Sequence, residues 1–499
     1  MSKRIRSIII AAVCLLVLGI AALILTKLPD DKKNNNTSSG SNESGVASSD
    51  STDILGYITV YEFKGEQIAT IDVKNQYGGF KMNQVSKDKW IVENAPDYEV
   101  NTATLDDLKT SCIQFAATKI IAENPADLTV YGIDDNSTVA FVSYTTGEKL
   151  SMYVGDDASS GGTYVYIKEN DKVYLTSSGW SEVFEHKYTA YINLIMTPLM
   201  DVDKEGNEVD PRVKKIAFSG RGLKTPVIVE ENPEYAAAEK DGTLNSSTSK
   251  NFSRFIYTSP INAEISNDAY DGLQNYYFGL SAYDVYELNP TAKDLADCGL
   301  TSPYVTLEVT AENMSFTIKL GNTVKIGEGE YYYATATNKK AIYVVDSLDF
   351  SFFKADPIDY MSALVVNVMI DDIASIEVEM DGKKYEFVSS GSGEDLVVRW
   401  NGKKMSTEEY RDLYTLVMLA YCEESVQPGQ YNGQADLKIT YKYRNKEKVD
   451  VIEYVKVETR KYMIRRNGGD LALCRSKYVD TLKQGVNLFI SGKNVPTDY

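Results

Sequence analysis

The period of hydrophobic and polar positions changes along this chain of 499 residues, and each change marks a different kind of structure. The first stretch has no polar position at all. From Ile8 to Leu25 the residues are apolar or small, directly behind Lys3, Arg4 and Arg6. A helix of that length spans about 27 Å, against a bilayer core of about 30 Å. The run ends at Thr26-Lys27-Leu28-Pro29, without the small residues that precede a signal-peptidase cut. Cys14 stands between Val13 and Leu15, which is no lipoprotein cleavage context. The pattern therefore predicts a cytoplasmic N-terminus (1–7) and a retained transmembrane anchor (8–28). A short basic N-terminus favours translocation of the chain downstream of the anchor. Lys27, Lys32 and Lys33 flank the other end, so a reversed anchor holding a cytosolic body is the alternative. Residues 29–53 read as a flexible Ser/Asn linker, and Asn34 to Ser51 holds too little apolar surface to build a core.

Beyond the linker the chain repeats itself. Ile68-Ala69-Thr70-Ile71-Asp72-Val73 returns as Val213-Lys214-Lys215-Ile216-Ala217-Phe218 and again as Ile373-Ala374-Ser375-Ile376-Glu377-Val378. The spacing is roughly 150 residues, the size of a small domain. We place unit 1 at 54–205, unit 2 at 206–368 and a partial or divergent unit 3 at 369–499. Each echo is followed by a second strand, ending at Trp90 to Pro96, at Arg254 to Pro260 and at Leu396 to Trp400. Unit 2 carries an extra segment, Glu231 to Lys250, expected as an exposed loop.

A helical period comes next in each unit. Leu105, Leu108, Cys112, Phe115, Ala116 and Ile120 share one face behind Thr104-x-x-Asp107. Ser266 or Asn267 opens the middle helix, with Leu273, Tyr276, Tyr277 and Leu280 inward. Ser406-x-x-Glu409 is a capping box ahead of Tyr410, Leu413, Tyr414, Val417 and Tyr421. The period then drops to two. Short strands are predicted at 138–144, 150–154, 164–167 and 173–176, at 305–309, 316–320, 331–335 and 342–345, and at 437–443, 449–457, 461–465 and 471–474. The fold class is α+β: repeated units of antiparallel β-meander packed on one helix, after the N-terminal transmembrane helix.

Composition sharpens this picture in two ways. The net charge of −19 repels polyanions and argues against a nucleic-acid partner. Thirty-six tyrosines suit half-buried pleated surfaces, or else a platform for sugar or peptide. Cys112, Cys298, Cys422 and Cys474 show no C-x-x-C pair, and we expect free core thiols in place of a disulfide frame or zinc ribbon.

Unit 1 contains Asp127-Leu128, Tyr131-Gly132-Ile133, then Tyr153-Val154-Gly155, Gly162-Thr163-Tyr164-Val165 and Lys172-Val173-Tyr174-Leu175. Unit 2 contains Asp294-Leu295, Cys298-Gly299-Leu300, Leu320-Gly321, Tyr331-Tyr332-Tyr333 and Ile342-Tyr343-Val344-Val345. This pattern resembles the bacterial family known as domain of unknown function 4340, over most of residues 60 to 360; unit 3 keeps the strands without the Tyr-Gly-Leu-like turn. The resemblance implies one N-terminal membrane segment, an extracytoplasmic body and an auxiliary role beside gliding-motility-type ABC transporter components. It implies no catalytic residue. Gly132 and Gly299 are expected at positive φ before a strand, and Gly155 and Gly321 at positive φ at a strand end.

Candidate chemistry is sparse. His186 is the single histidine, which leaves little for a His-paired nucleophile or a multi-histidine metal site. Ser247-x-x-Lys250 fits a Ser–Lys pair inside a Ser/Thr-rich segment, and no phosphate-binding glycine loop appears. Asp201, Asp203 and Glu205, with Gly206 after them, match the first positions of a calcium loop, but Arg212 stands where a bidentate Glu is wanted. No cofactor is predicted. The expectation is a non-enzymatic scaffold or auxiliary protein at the cell membrane, bulk outside, with a protein partner in a membrane complex. The alternatives are a glycan-binding module using exposed tyrosines and a carboxylate-based hydrolase.

Overall fold

The computed structural model describes residues 45–52 and 57–497, apart from 243, 245–252, 267–268, 270–272, 274–275, 363–364, 367, 420–421, 445–446 and 448. The predicted anchor lies outside these residues. Among the described residues no helix is long and apolar enough to cross a membrane. The end of the predicted linker is not free of structure: Gly45–Thr52 pairs antiparallel with Ile58–Glu62. Backbone pairing there needs no apolar side chains, which is why composition missed it.

Among the described residues four antiparallel sheets make up the body. A three-stranded sheet joins Gly45–Thr52, Ile58–Glu62 and Gln114–Ala117. The other three sheets, of eight, nine and nine strands, share one strand order. Each opens with an echo strand, Ile68–Lys74, Val213–Ser219 or Ile373–Met380. The chain meanders outward from it to one edge, then crosses to the opposite edge strand, Lys119–Glu123, Asp284–Leu288 or Glu424–Ser425. It returns to the centre as Val139–Tyr144, Val305–Ala311 or Ala435–Tyr443, paired with the echo strand, and meanders back to the far edge. Ile71 thus lies opposite Val142, Ile216 opposite Val309 and Ile376 opposite Tyr441. The register of this central pair slips at Ile68/Thr70, Val213/Lys215 and Ile373/Ser375, three equivalent places. The units are therefore copies in pairing as well as in order.

The helices depart from expectation in detail. α1 is Thr102–Ile113, capped by Asn101, whose side chain accepts from the Thr104 N–H. Phe115 and Ala116 belong to the strand Gln114–Ala117, and Ile120 to the edge strand Lys119–Glu123. A run such as Phe-Ala-Ala-Thr-Lys-Ile-Ile fits both periods, and Phe115 and Ala117 are buried in the period-two sense. The Glu231 to Lys250 segment includes a second helix, α2 (Pro233–Lys240), with Pro at its first turn and Asn232 as cap. α3 is the six-residue Ala292–Asp297, capped by a Thr291/Asp294 box. In α4 (Thr407–Met418) the Ser406 side chain does accept from the Glu409 N–H, but the Glu409 carboxylate instead takes the N–H of Val495 at 2.6 Å. Tyr421 and the predicted start of the middle helix at Asn267 lie outside the described residues; Leu273, Tyr277 and Leu280 are buried as expected, whereas Tyr276 is exposed and donates to Asp349. A last helix, α5 (Ser476–Ile490), buries Tyr478, Val479, Leu482, Val486 and Phe489. Gly485 lets it close on α4, since a Cβ there would lie 2.8 Å from Leu416 Cδ1.

One apolar core runs through all three units, from Val60 to Val495. Tyrosine serves it in a specific way. Tyr61 and Tyr144 donate to the carbonyls of Ser111 and Cys112 in the last turn of α1. Tyr441 donates to Val417 and Tyr478 to Leu416 and Leu419, at the end of α4. A helix C-terminus leaves carbonyls without intrahelical partners, and buried phenols satisfy them here. Cys112, Cys298 and Cys474 are buried free thiols and Cys422 a half-buried one.

Candidate ligand-binding surface

Sequence alternation decides which side chains leave the core. In the strand Gly329–Ala336, Tyr332 points inward and is buried, while Tyr331 and Tyr333 point the other way. The edge strand, one strand further out beyond Ala341–Asp346, presents Tyr286, and Tyr283 precedes it. The rings form two pairs, Tyr283 with Tyr331 and Tyr286 with Tyr333, each with centroids 4.7 Å apart. Tyr283 is 56 % exposed and Tyr286 52 %, so their faces are open to solvent. Burial raises the Tyr333 phenol above its ordinary value, with Tyr286 adding to the effect, so the Tyr333 ring stays neutral at physiological pH.

The solvent side of the first large sheet has the same character, with Phe141 against Tyr153 at 6.3 Å, Tyr153 against Tyr166 at 5.8 Å and Tyr131 against Tyr164 at 5.5 Å. The third sheet differs. Its outer face is covered by ion pairs, Lys384 with Glu377, Lys442 with Glu386, Lys438 with Glu379 and Arg465 with Glu453.

In units 1 and 2 the turn ahead of the strand that returns to the centre packs against the next strand on the outer side. Gly132 (φ 71°) and Gly299 (φ 73°) adopt the left-handed conformation expected of them. Gly155 and Gly321 do not; they lie within strands, and their role is close approach. A Cβ on Gly155 would stand 2.2 Å from the Tyr131 carbonyl oxygen, and one on Gly321 2.0 Å from that of Cys298. At the equivalent place unit 3 has Val455, packed with Val426, Met463 and Leu473. In unit 2 the seated turn forms a small apolar cluster of Cys298, Leu300 and Ile342, against which Leu295 and Tyr333 pack. Beside it opens a cavity of about 440 Å³, floored by Pro290, Leu295 and Leu300 and lined by Lys319, Lys339 and Lys340.

A family model described as Domain of unknown function (DUF4340) matches residues 90–206 and 257–421. The chain belongs to this family. The DUF4340 segments contain both pairs of glycines and continue to α4, past the stretch the sequence motifs suggested. No curated protein and no solved structure matches the chain.

The other sequence candidates do not converge on this surface. Asp201, Asp203 and Glu205 lie in a hairpin closed by the Val202/Glu208 bridge. The Asp203 carboxylate accepts from the Asn207 side-chain amide and from the backbone N–H groups of Asn207 and Glu205, which hold it below the ordinary carboxylate range. Among the described residues no group of three or more His, Cys, Asp or Glu is placed to hold a metal ion. His186 packs its ring edge against Tyr191 at 6.2 Å. Ser247 and Lys250 lie outside the described residues. The sequence reading missed the three lysines because they are dispersed; only the adjacent pair Lys339-Lys340, behind the positive-φ Asn338, was a local signal.

Proposed function

We propose that this DUF4340 chain is a non-enzymatic binding scaffold, held to the cell membrane by residues 8–28 with its β-rich body outside. Its partner is a protein of a membrane complex, of the ABC-transporter kind that the family resemblance suggests. The observation that carries the reading is the pair of tyrosine-faced sheets. Aromatic rings fixed on a rigid pleated surface offer large contact area at little entropic cost. A continuous core joining the units keeps the faces in fixed register for such a partner. Crosslinking in living cells followed by purification in mild detergent tests it: a recurrent membrane-complex neighbour is expected, and a solitary protein would count against the scaffold. Protease added to intact spheroplasts should digest the body; protection would place it on the wrong side.

A second reading is favoured by Tyr283 and Tyr286 alone. Open phenol faces stack on the C–H faces of sugar rings, so the surface suits a cell-envelope glycan. Retention on purified wall polymer, lost in a Tyr283→Ala/Tyr286→Ala protein, separates this from the first reading.

A further inference from the structure

We infer that the cavity over the second large sheet is a site for an anionic glycan, a polymer whose sugar rings stack on the tyrosines while its acid groups meet Lys319, Lys339 and Lys340. The inference rests on the second reading above and adds the charge class of the ligand.

The first argument is electrostatic. The chain carries a net charge of −19, and several lysines elsewhere on its sheets pair with carboxylates, as Lys214 does with Glu231 and Lys215 with Glu230. Lys319, Lys339 and Lys340 line one cavity, yet none has a carboxylate within ion-pair distance among the described residues. Three ammonium groups around one hollow, with no carboxylate in direct contact, repel each other, a cost that an anionic ligand removes. The nearby acids are engaged or displaced. Asp294 is held in the Thr291 cap, Asp297 pairs with Lys293, and Asp97 and Glu99 line the adjoining cavity of about 260 Å³ that shares Lys339 and Lys340.

The second argument is continuity. Lys319 lies directly opposite Thr335, two residues from Tyr333 on the same strand, so Lys319 and the Tyr333 ring share one face. Tyr333 packs on the cluster containing Leu295 and Leu300, which is also the cavity floor. A bare phosphate would need only the ammonium groups, and an apolar peptide only the rings. A ligand that uses both has rings and charges along one chain. The equivalent position in unit 1 does not carry this charge: Tyr153 stands where unit 2 has Lys319.

The test is titration of the full chain in neutral-lipid nanodiscs, followed by thermophoresis, with polygalacturonate, a glycerol-phosphate polymer and neutral dextran. Vesicles of phosphatidylglycerol serve as a further arm. Binding of one or both anionic polymers, at least about tenfold tighter than dextran, is expected, and which one binds identifies carboxylate or phosphate. A Lys319→Ala/Lys339→Ala/Lys340→Ala protein should lose that preference, and Tyr283→Ala/Tyr286→Ala should weaken every polymer. Equal binding of dextran and the anionic polymers overturns the inference while leaving the tyrosine reading intact. Binding that tracks the lysines but ignores the tyrosines, or equal capture of the vesicles, shows a bare anion site and overturns the glycan class. Absence of binding to any polymer overturns both readings. Circular dichroism of each variant separates lost binding from lost fold.

Discussion

Gly321→Ala is the most direct probe of how the family's turn is seated. The new methyl would stand 2.0 Å from the Cys298 carbonyl oxygen, a backbone atom that cannot rotate away. Carbon and oxygen need about 3.3 Å, so the turn or the strand must move by more than about 1 Å. That same carbonyl accepts the Asn322 N–H at 2.8 Å, a bond such a shift would break. Overpacking costs about 1–3 kcal/mol and a lost buried hydrogen bond about 1 kcal/mol, giving about 2–4 kcal/mol in all. Gly321 has no positive φ to confuse the result, and Gly155→Ala repeats the experiment against Tyr131 in unit 1. Gly147 (φ 96°) is the control, because a Cβ there meets nothing within 4 Å and only backbone strain of about 1 kcal/mol is added. Urea unfolding of the full chain in detergent, monitored by circular dichroism, should show midpoints lowered by about 0.5–1 M for the two strand glycines, since the slope grows with chain size. If Gly321→Ala and Gly155→Ala cost no more than Gly147→Ala, close approach is not what fixes those glycines.

The buried tyrosines support two more predictions. Tyr441→Phe leaves the Val417 carbonyl at the end of α4 without its donor and should cost about 1–3 kcal/mol in the same urea assay; a change under about 0.5 kcal/mol would mean another group satisfies that carbonyl. Burial raises Tyr61, Tyr144, Tyr441 and Tyr454 above the ordinary phenol value, so the folded state keeps protons that the unfolded chain releases near pH 10. Their stabilising effect is whole below about pH 10 and lost progressively above it, and unfolding midpoints should fall steeply between about pH 10 and 12; a flat profile there would refute it.

Much of the fold was legible because the period-two strands bury one face each. The echoes at Ile71, Ile216 and Ile376 fall at equivalent places in three sheets, and the predicted inner strands all exist, most of them extended by a residue or more at one or both ends. The crossing to the far edge was not legible, since nothing in Lys119–Glu123 or Glu424–Ser425 says which strand it will meet. α5 was overlooked although Tyr478, Leu482, Val486 and Phe489 keep a helical spacing. The glycines at 155 and 321 were noticed for the wrong cause: sequence shows a missing side chain, not the carbonyl that occupies its place. The lysine-lined cavity was invisible for a related reason, because Lys319 and Lys339 meet only through strand pairing.

The shared strand order has a price during synthesis. Each opening strand waits for a partner that arrives only after the chain has visited both borders of its sheet, so closure has a high contact order and is slow. Three such closures with interchangeable partners invite exchange, in which the strand around Ile216 captures the segment meant for Ile71. Sequential emergence limits this, because the first copy can finish before the second copy's strands exist. Slowed or stalled delivery of the chain should therefore harm this protein through tangled copies rather than through loss of any single contact.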